Sequence, residues 1–100
     1  MIRPALAAAA LLALPAAADD WTARKCLLYT RAWNQASAGD GLAGVGRDFV
    51  AGNEAFIASG CHGGSICPGT PAELALADRL TLMAVAEGMT GSFLPFACPQ

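Results

Sequence analysis

The chain has 100 residues, 55% of them apolar and 14% charged, with a net charge of −2 from six basic and eight acidic side chains. That length holds one small domain, and so slight a negative charge offers no basic surface for nucleic acid or an anionic membrane. A core of this size alone supplies roughly a few kcal/mol of net stability, so covalent staples are expected. The four cysteines, Cys26, Cys61, Cys67 and Cys98, are the residues able to form them.

Met1-Ile2-Arg3 is a short cationic start, Ala5 to Leu14 is apolar throughout, Pro15 ends the run, and Ala16-Ala17-Ala18 precedes Asp19-Asp20. Charge, apolar core, breaker and small residues in that order are the pattern of a cleavable secretory signal, with cleavage expected after Ala18. The apolar run is about half of the roughly 20 residues a spanning helix needs, so no membrane span is expected in the mature chain. The residue directly after the cleavage site is Asp19, not a cysteine, which argues against a lipid anchor. Residues 1–18 are thus read as a signal peptide and residues 19–100 as a single domain. The alanine-rich composition suggests a bacterium, and with it the periplasm or the medium. Loss of Arg3 takes the net charge to −3. In such an oxidising compartment four cysteines imply two disulfides.

Three helices are expected. The first runs from about Asp20 to Ala36. Trp21, Leu28, Ala32 and Ala36 share one arc of its wheel, widened by Cys26, Tyr29 and Trp33, while Arg24, Arg31, Asn34 and Gln35 take the other side. A glycine-rich connection follows, from Ser37 through Gly46. The second helix spans Arg47 to Ser59, with Phe49, Val50, Phe56 and Ile57 as its apolar stripe and Gly60 as its stop. Gly52 costs this helix about 1 kcal/mol relative to alanine, which makes it dependent on packing. The third helix opens on Thr70-Pro71-Ala72-Glu73, an N-cap hydroxyl, a proline at N1 and a glutamate at N3, and continues to about Glu87. It is apolar on two faces, Leu76, Leu80 and Met83 on one and Leu74, Leu82 and Val85 on the other. A helix of that kind is normally central, which places it between the other two and the tail; the alternative is that one face meets a partner or a second copy. The end, from Ser92 to Cys98, is apolar with a proline and reads as extended, pinned back along the bundle through Cys98. The expected fold is all-α: a small three-helix bundle with an extended C-terminal tail, stapled by two disulfides.

Four cysteines allow three pairings. An antiparallel hairpin of the first two helices puts Cys26, Cys61 and Cys67 at one end. The third helix then leads away by roughly 27–30 Å, and seven extended steps of tail recover about 23 Å, enough to return Cys98 to the depth of Cys26. The two glycines between Cys61 and Cys67 allow a short loop to close. Cys26–Cys98 with Cys61–Cys67 is therefore the favoured pairing, and Cys26–Cys61 with Cys67–Cys98 fits the same geometry as the alternative.

No constellation for catalysis is visible. His62, the lone histidine, sits in a glycine-rich loop beside a cysteine expected to be bridged, without the orienting third group a nucleophile–base device needs. Cys61-His62 with Cys67 resembles half a zinc site, but its spacing is loose and export favours oxidation over metal binding. The haem and redox C-x-x-C patterns are absent, as are the nucleotide-binding and nucleophile-elbow motifs. No catalytic residue, metal ligand or cofactor is expected. Asp78 and Thr81 share the arc of Leu74 and Val85 and are read as a partly buried polar pair. Arg24 and Arg31, one heptad apart, are read as a solvated face or a contact patch, and Phe93 and Phe96 of the tail as further interface candidates.

The stretch Cys67-Pro68-Gly69-Thr70-Pro71-Ala72-Glu73-Leu74-Ala75-Leu76-Ala77-Asp78 and the ending Phe93-Leu94-Pro95-Phe96-Ala97-Cys98 resemble a group of small secreted proteins of alphaproteobacteria to which no activity is assigned. Cys67-Pro68 before a long helix, with Cys98 near the C-terminus, is also similar to the Rap/Tai-type periplasmic immunity proteins. Those carry a Cys-x-Pro turn and a proline before the last cysteine, where this chain has Cys67-Pro68 and Ala97. That second resemblance implies an inhibitor of a cell-wall-degrading toxin. The expected function is a non-enzymatic periplasmic or secreted helical module that binds a protein partner, or a second copy of itself. A structural or chaperone-like envelope protein is the alternative.

Overall fold

The computed structural model describes residues 16–100, so most of the expected signal segment lies outside the described residues. Three helices follow one another: α1 (Ala16–Ala36), α2 (Arg47–Ala58) and α3 (Pro71–Ala86), with a single 3₁₀ turn at Gly91–Phe93. No strand is present among the described residues; an isolated parallel bridge joins Ile66 to Phe96. The fold is the expected all-α bundle with an extended tail and two disulfides.

The helix ends follow from local chemistry. Thr70 accepts the Glu73 N–H through Oγ1 (3.1 Å), as an N-cap does. α2 stops when Ser59 is followed by Gly60 in the left-handed region (φ 82°). The Gly60 N–H then donates to the Ile57 carbonyl (3.0 Å) and the Cys61 N–H to the Phe56 carbonyl (2.9 Å). These two bonds make a Schellman motif. α3 ends the same way, with Gly88 N–H to Val85 and Met89 N–H to Ala84. In each motif the residue after the glycine turns inward, so Cys61 and Met89 are both buried.

The core centres on Tyr29, Trp33, Phe56, Leu76 and Leu80. Tyr29 packs edge-on against Phe56, at 5.2 Å between centroids. Its hydroxyl donates to Asn53 Oδ1 (2.5 Å), and Asn53 Nδ2 donates to the Phe49 carbonyl (2.9 Å). Asn53 is fully buried, and these two bonds satisfy it; every other buried side-chain N or O among the described residues is also partnered. Ile66 lies over Gly52, where a Cβ would come within 3.0 Å of Ile66 Cγ1. The glycine that weakens α2 therefore makes room for the connector that packs on it.

Several expectations are corrected. α1, not α3, packs against both other helices. The second face of α3 is open: Leu74, Leu82 and Val85 are 52%, 71% and 52% exposed. Trp21, placed on the buried arc, is 43% exposed, with Lys25 Nζ 5.9 Å from its ring centre. Asp78 is exposed rather than partly buried, and Thr81, half-buried, donates to the Ala77 carbonyl (2.7 Å).

The pairing of the cysteines is also corrected. The bridges are Cys26–Cys61 and Cys67–Cys98, not Cys26–Cys98 and Cys61–Cys67. The Schellman turn aims Cys61 at α1. The segment after it does not double back on itself but runs along α2 past Gly52, so α3 begins beside the start of α2 instead of beside Cys26. The tail leaves the far end of α3, near Leu28 and Met89, and follows the connector in parallel. Ile66 N–H donates to the Pro95 carbonyl (2.8 Å) and Ala97 N–H to the Ile66 carbonyl (3.0 Å), and this brings Cys98 to Cys67. In the chain-entropy view, loops of 35 and 31 residues stabilise the fold by about 4 kcal/mol each.

Two measurements follow from this packing. Gly52→Ala should gain about 1 kcal/mol in a background carrying Ile66→Ala, as in an open helix, and should lose that gain or destabilise in the wild type; equal effects in both backgrounds, read by urea denaturation, would refute the contact. Burial raises the Tyr29 pKa above its ordinary 10.0, so its contribution is full below pH 10 and is lost as pH rises beyond it. Tyr29 is the lone tyrosine, so phenolate absorbance should appear together with unfolding. Tyr29→Phe should abolish that alkaline transition and cost about 1–3 kcal/mol at neutral pH, because Asn53 Oδ1 loses its donor.

Candidate functional site

Two surfaces stand out, a polar cleft at the helix starts and an aliphatic face on α3. The cleft is built around Glu73, the third residue of α3 and a buried carboxylate. Its Oε1 accepts the Gly69 N–H (2.8 Å) just ahead of α3, and its Oε2 accepts the Gly46 N–H (2.8 Å) at the N-cap of α2. Thr70 Oγ1 adds a bond to the Gly44 carbonyl (3.1 Å). The glycine-rich connection after α1 is thereby fastened to the start of α3. A Cβ on Gly46 would lie 2.9 Å from Glu73 Oε2, so a larger residue there would have to displace the carboxylate tip.

The N–H groups of Gly69 and Gly46, with Thr70 adding to them, hold the Glu73 carboxyl below its ordinary value of 4.5, against the desolvation that would raise it. A carboxylate kept ionised with both oxygens engaged is a poor proton acceptor and a good structural anion. Around it opens a cleft of about 590 Å³ lined by Arg47, Asp48, Phe49, Gly52, Ser65 and Cys67 among others. Arg47, Asp48 and Ser65 are exposed at its edge.

The second surface runs along α3. Leu74, Asp78, Leu82 and Val85 lie on one outward face, with Asp78 set among the three aliphatic residues. On α1, Leu27 is 59% exposed between the exposed Arg24 and Arg31. A smaller groove of about 350 Å³ lies between these helices, lined by Leu28, Arg31, Gln35, Met83 and Glu87 among others.

The interface candidates of the sequence divide into two groups. Arg24 and Arg31 are exposed on one face of α1. Phe93 and Phe96 are half-buried: Phe93 sits 5.7 Å from Phe56 and 6.1 Å from Tyr29, with Lys25 Nζ 5.3 Å from its ring centre, and Phe96 stacks on Phe49 at 5.8 Å. They pin the tail to the bundle, facing inward. His62 is exposed in its loop. Among the described residues, no three of His, Cys, Asp and Glu gather as metal ligands, and none of the four cysteines is free. The capping pattern identified Glu73 but not its reach to Gly46. The burial of Asn53 could have been read from its position four residues after Phe49, inside the apolar stripe of α2.

No protein-family model, curated protein or solved structure matches this chain.

The brace predicts an acid dependence. Because the folded-state pKa of Glu73 is depressed, its contribution is full above 4.5 and is lost as pH falls below that value through the folded pKa. Glu73→Gln keeps the shape but supplies one acceptor oxygen instead of two. It should lower the melting temperature at neutral pH, and its deficit against wild type should shrink as the medium is acidified. A deficit independent of pH would remove the charge from the explanation.

Proposed function

We propose that this protein is a non-enzymatic helical binding module that works in an oxidising compartment outside the cytoplasm and recognises a protein partner through the outer face of α3. The observation that carries this reading is the exposure of Leu74, Leu82 and Val85 on one helix of so small a domain. Water contact with three aliphatic side chains is unfavourable by about 25 cal/mol for each Å² of apolar surface, and such a patch marks a contact surface when it is contiguous. Two disulfides are compatible with export. No helix among the described residues is long and apolar enough to cross a membrane. The likeness of Cys67-Pro68 and Cys98 to periplasmic immunity proteins makes a cell-wall-degrading enzyme the first partner to try.

The test is a photoreactive side chain introduced at position 82 of the exported protein, compared with one at position 34 on the solvated side of α1. The expected result is one discrete heavier adduct from position 82 and none from position 34. Leu74→Asp should abolish the adduct while changing stability by less than about 0.5 kcal/mol, as exposed substitutions do. An adduct of twice the chain mass would make the partner a second copy. A smear of many products would favour a chaperone-like role, and no adduct from position 82 would remove the recognition face.

A further inference from the structure

The two disulfides occupy different environments. Cys61 is 7% exposed and Cys26 half-buried, joined beneath the end of α2, whereas Cys67 and Cys98 are both exposed. Thiol–disulfide exchange requires a thiolate to reach one sulfur directly, so access decides which bridge reacts. The chain beyond Leu94 is held by few other ties: the two backbone bonds to Ile66, the burial of Pro95 and the stacking of Phe96 on Phe49. Beneath it lies the strip of Ile66 on Gly52 and the ring of Phe49, which also border the cleft beside Glu73. The helical core, Tyr29, Trp33, Phe56, Leu76 and Leu80, is stapled separately by Cys26–Cys61.

We propose that Cys67–Cys98 is a redox-released strap: a dithiol reductant opens it selectively, the tail beyond Leu94 lifts away, and the apolar strip of Phe49 and Ile66 is uncovered while Cys26–Cys61 keeps the helices together. In the first step a thiolate of the reductant attacks one sulfur of the bridge. It forms a mixed disulfide and expels the other cysteine as a thiolate. The second thiol of the reductant then attacks the mixed bond and leaves as an intramolecular disulfide. Two electrons pass to the protein, and Cys67 and Cys98 end as thiols after taking up two protons. Four consecutive residues, Leu94 to Ala97, lie between the 3₁₀ turn and the bridged Cys98, so release is local to the end of the chain.

The native oxidised protein would be exposed to graded dithiothreitol, quenched with a thiol alkylator and mapped by mass spectrometry. The expected first product carries labels on Cys67 and Cys98 alone, forming at least tenfold faster than any labelled at Cys26 or Cys61. In that product the amides of Ile66 and Ala97 should lose hydrogen-exchange protection, while those inside α1 and α3 retain it. Simultaneous reduction of both bridges, prior reduction of Cys26–Cys61, or undiminished protection of Ile66 and Ala97 would overturn the proposal. The paired variant Cys67→Ser with Cys98→Ser gives an independent reading. Native helicity with unprotected Ile66 and Ala97 amides supports the strap, and a chain that does not fold shows that the bridge is required for the helices themselves.

Discussion

The architecture turns on a carboxylate placed where two helices begin. α2 and α3 both start beside the end of α1, so two sets of unpaired N–H groups and two partially positive helix ends lie close together. Side by side they would repel. Glu73 resolves this by accepting one N–H from each start, Gly46 and Gly69. The same residue thus offsets two helix dipoles, satisfies two donors and fixes the separation of two elements that pack mainly on a third. The glycine-rich connection serves this arrangement. Gly41 passes so close to the Ala36 carbonyl that a Cβ would overlap it, and Gly44 and Gly46 present a carbonyl and an N–H to Thr70 and Glu73.

From this parallel arrangement comes the course of the rest of the chain. For α3 to start beside α2, the connector after Cys61 has to travel the length of α2 rather than turn at once. Gly52 gives it a seat and Ile66 the side chain to fill it. Because α3 then climbs toward the Cys26 end, the tail has to descend, and it descends alongside the connector. The bridge between Cys67 and Cys98 closes that pair of extended segments, much as Cys26–Cys61 closes the helical hairpin. Each staple joins elements already aligned by hydrogen bonds or by a Schellman turn.

The helices were legible in the sequence because their ends are written in local chemistry. Thr70 and Glu73 mark one start, Gly60 and Gly88 mark two stops, and the apolar arc containing Leu28, Tyr29, Ala32, Trp33 and Ala36 marks the buried face of α1. What was not legible is long-range. The direction of the connector depends on the contact of Ile66 with Gly52 and on the bond from Gly46 to Glu73, between residues 14 and 27 positions apart in the chain. Taking the connector as a short turn reversed α3, and with it the reach of the tail and the pairing of the cysteines. Local capping rules give where a helix starts along the chain and leave open where that start sits in space.

The orientation of α3 about its own axis has the same origin. Its two apolar faces are nearly equivalent in composition, so burial of hydrophobic surface alone would not choose between them. The brace does choose. For its carboxylate to reach Gly46, Glu73 has to face the bundle, and residues three, four, seven and eleven positions further on then face it too. These are Leu76, Ala77, Leu80 and Ala84, all buried. Leu74, Leu82 and Val85 are turned to solvent by the same rotation. Their exposure is therefore a consequence of a polar contact at the first turn, and the helix carries more apolar surface than its own fold covers. The three residues surround Asp78, whose charge gives that surplus surface a polar mark around which a contact can be specific.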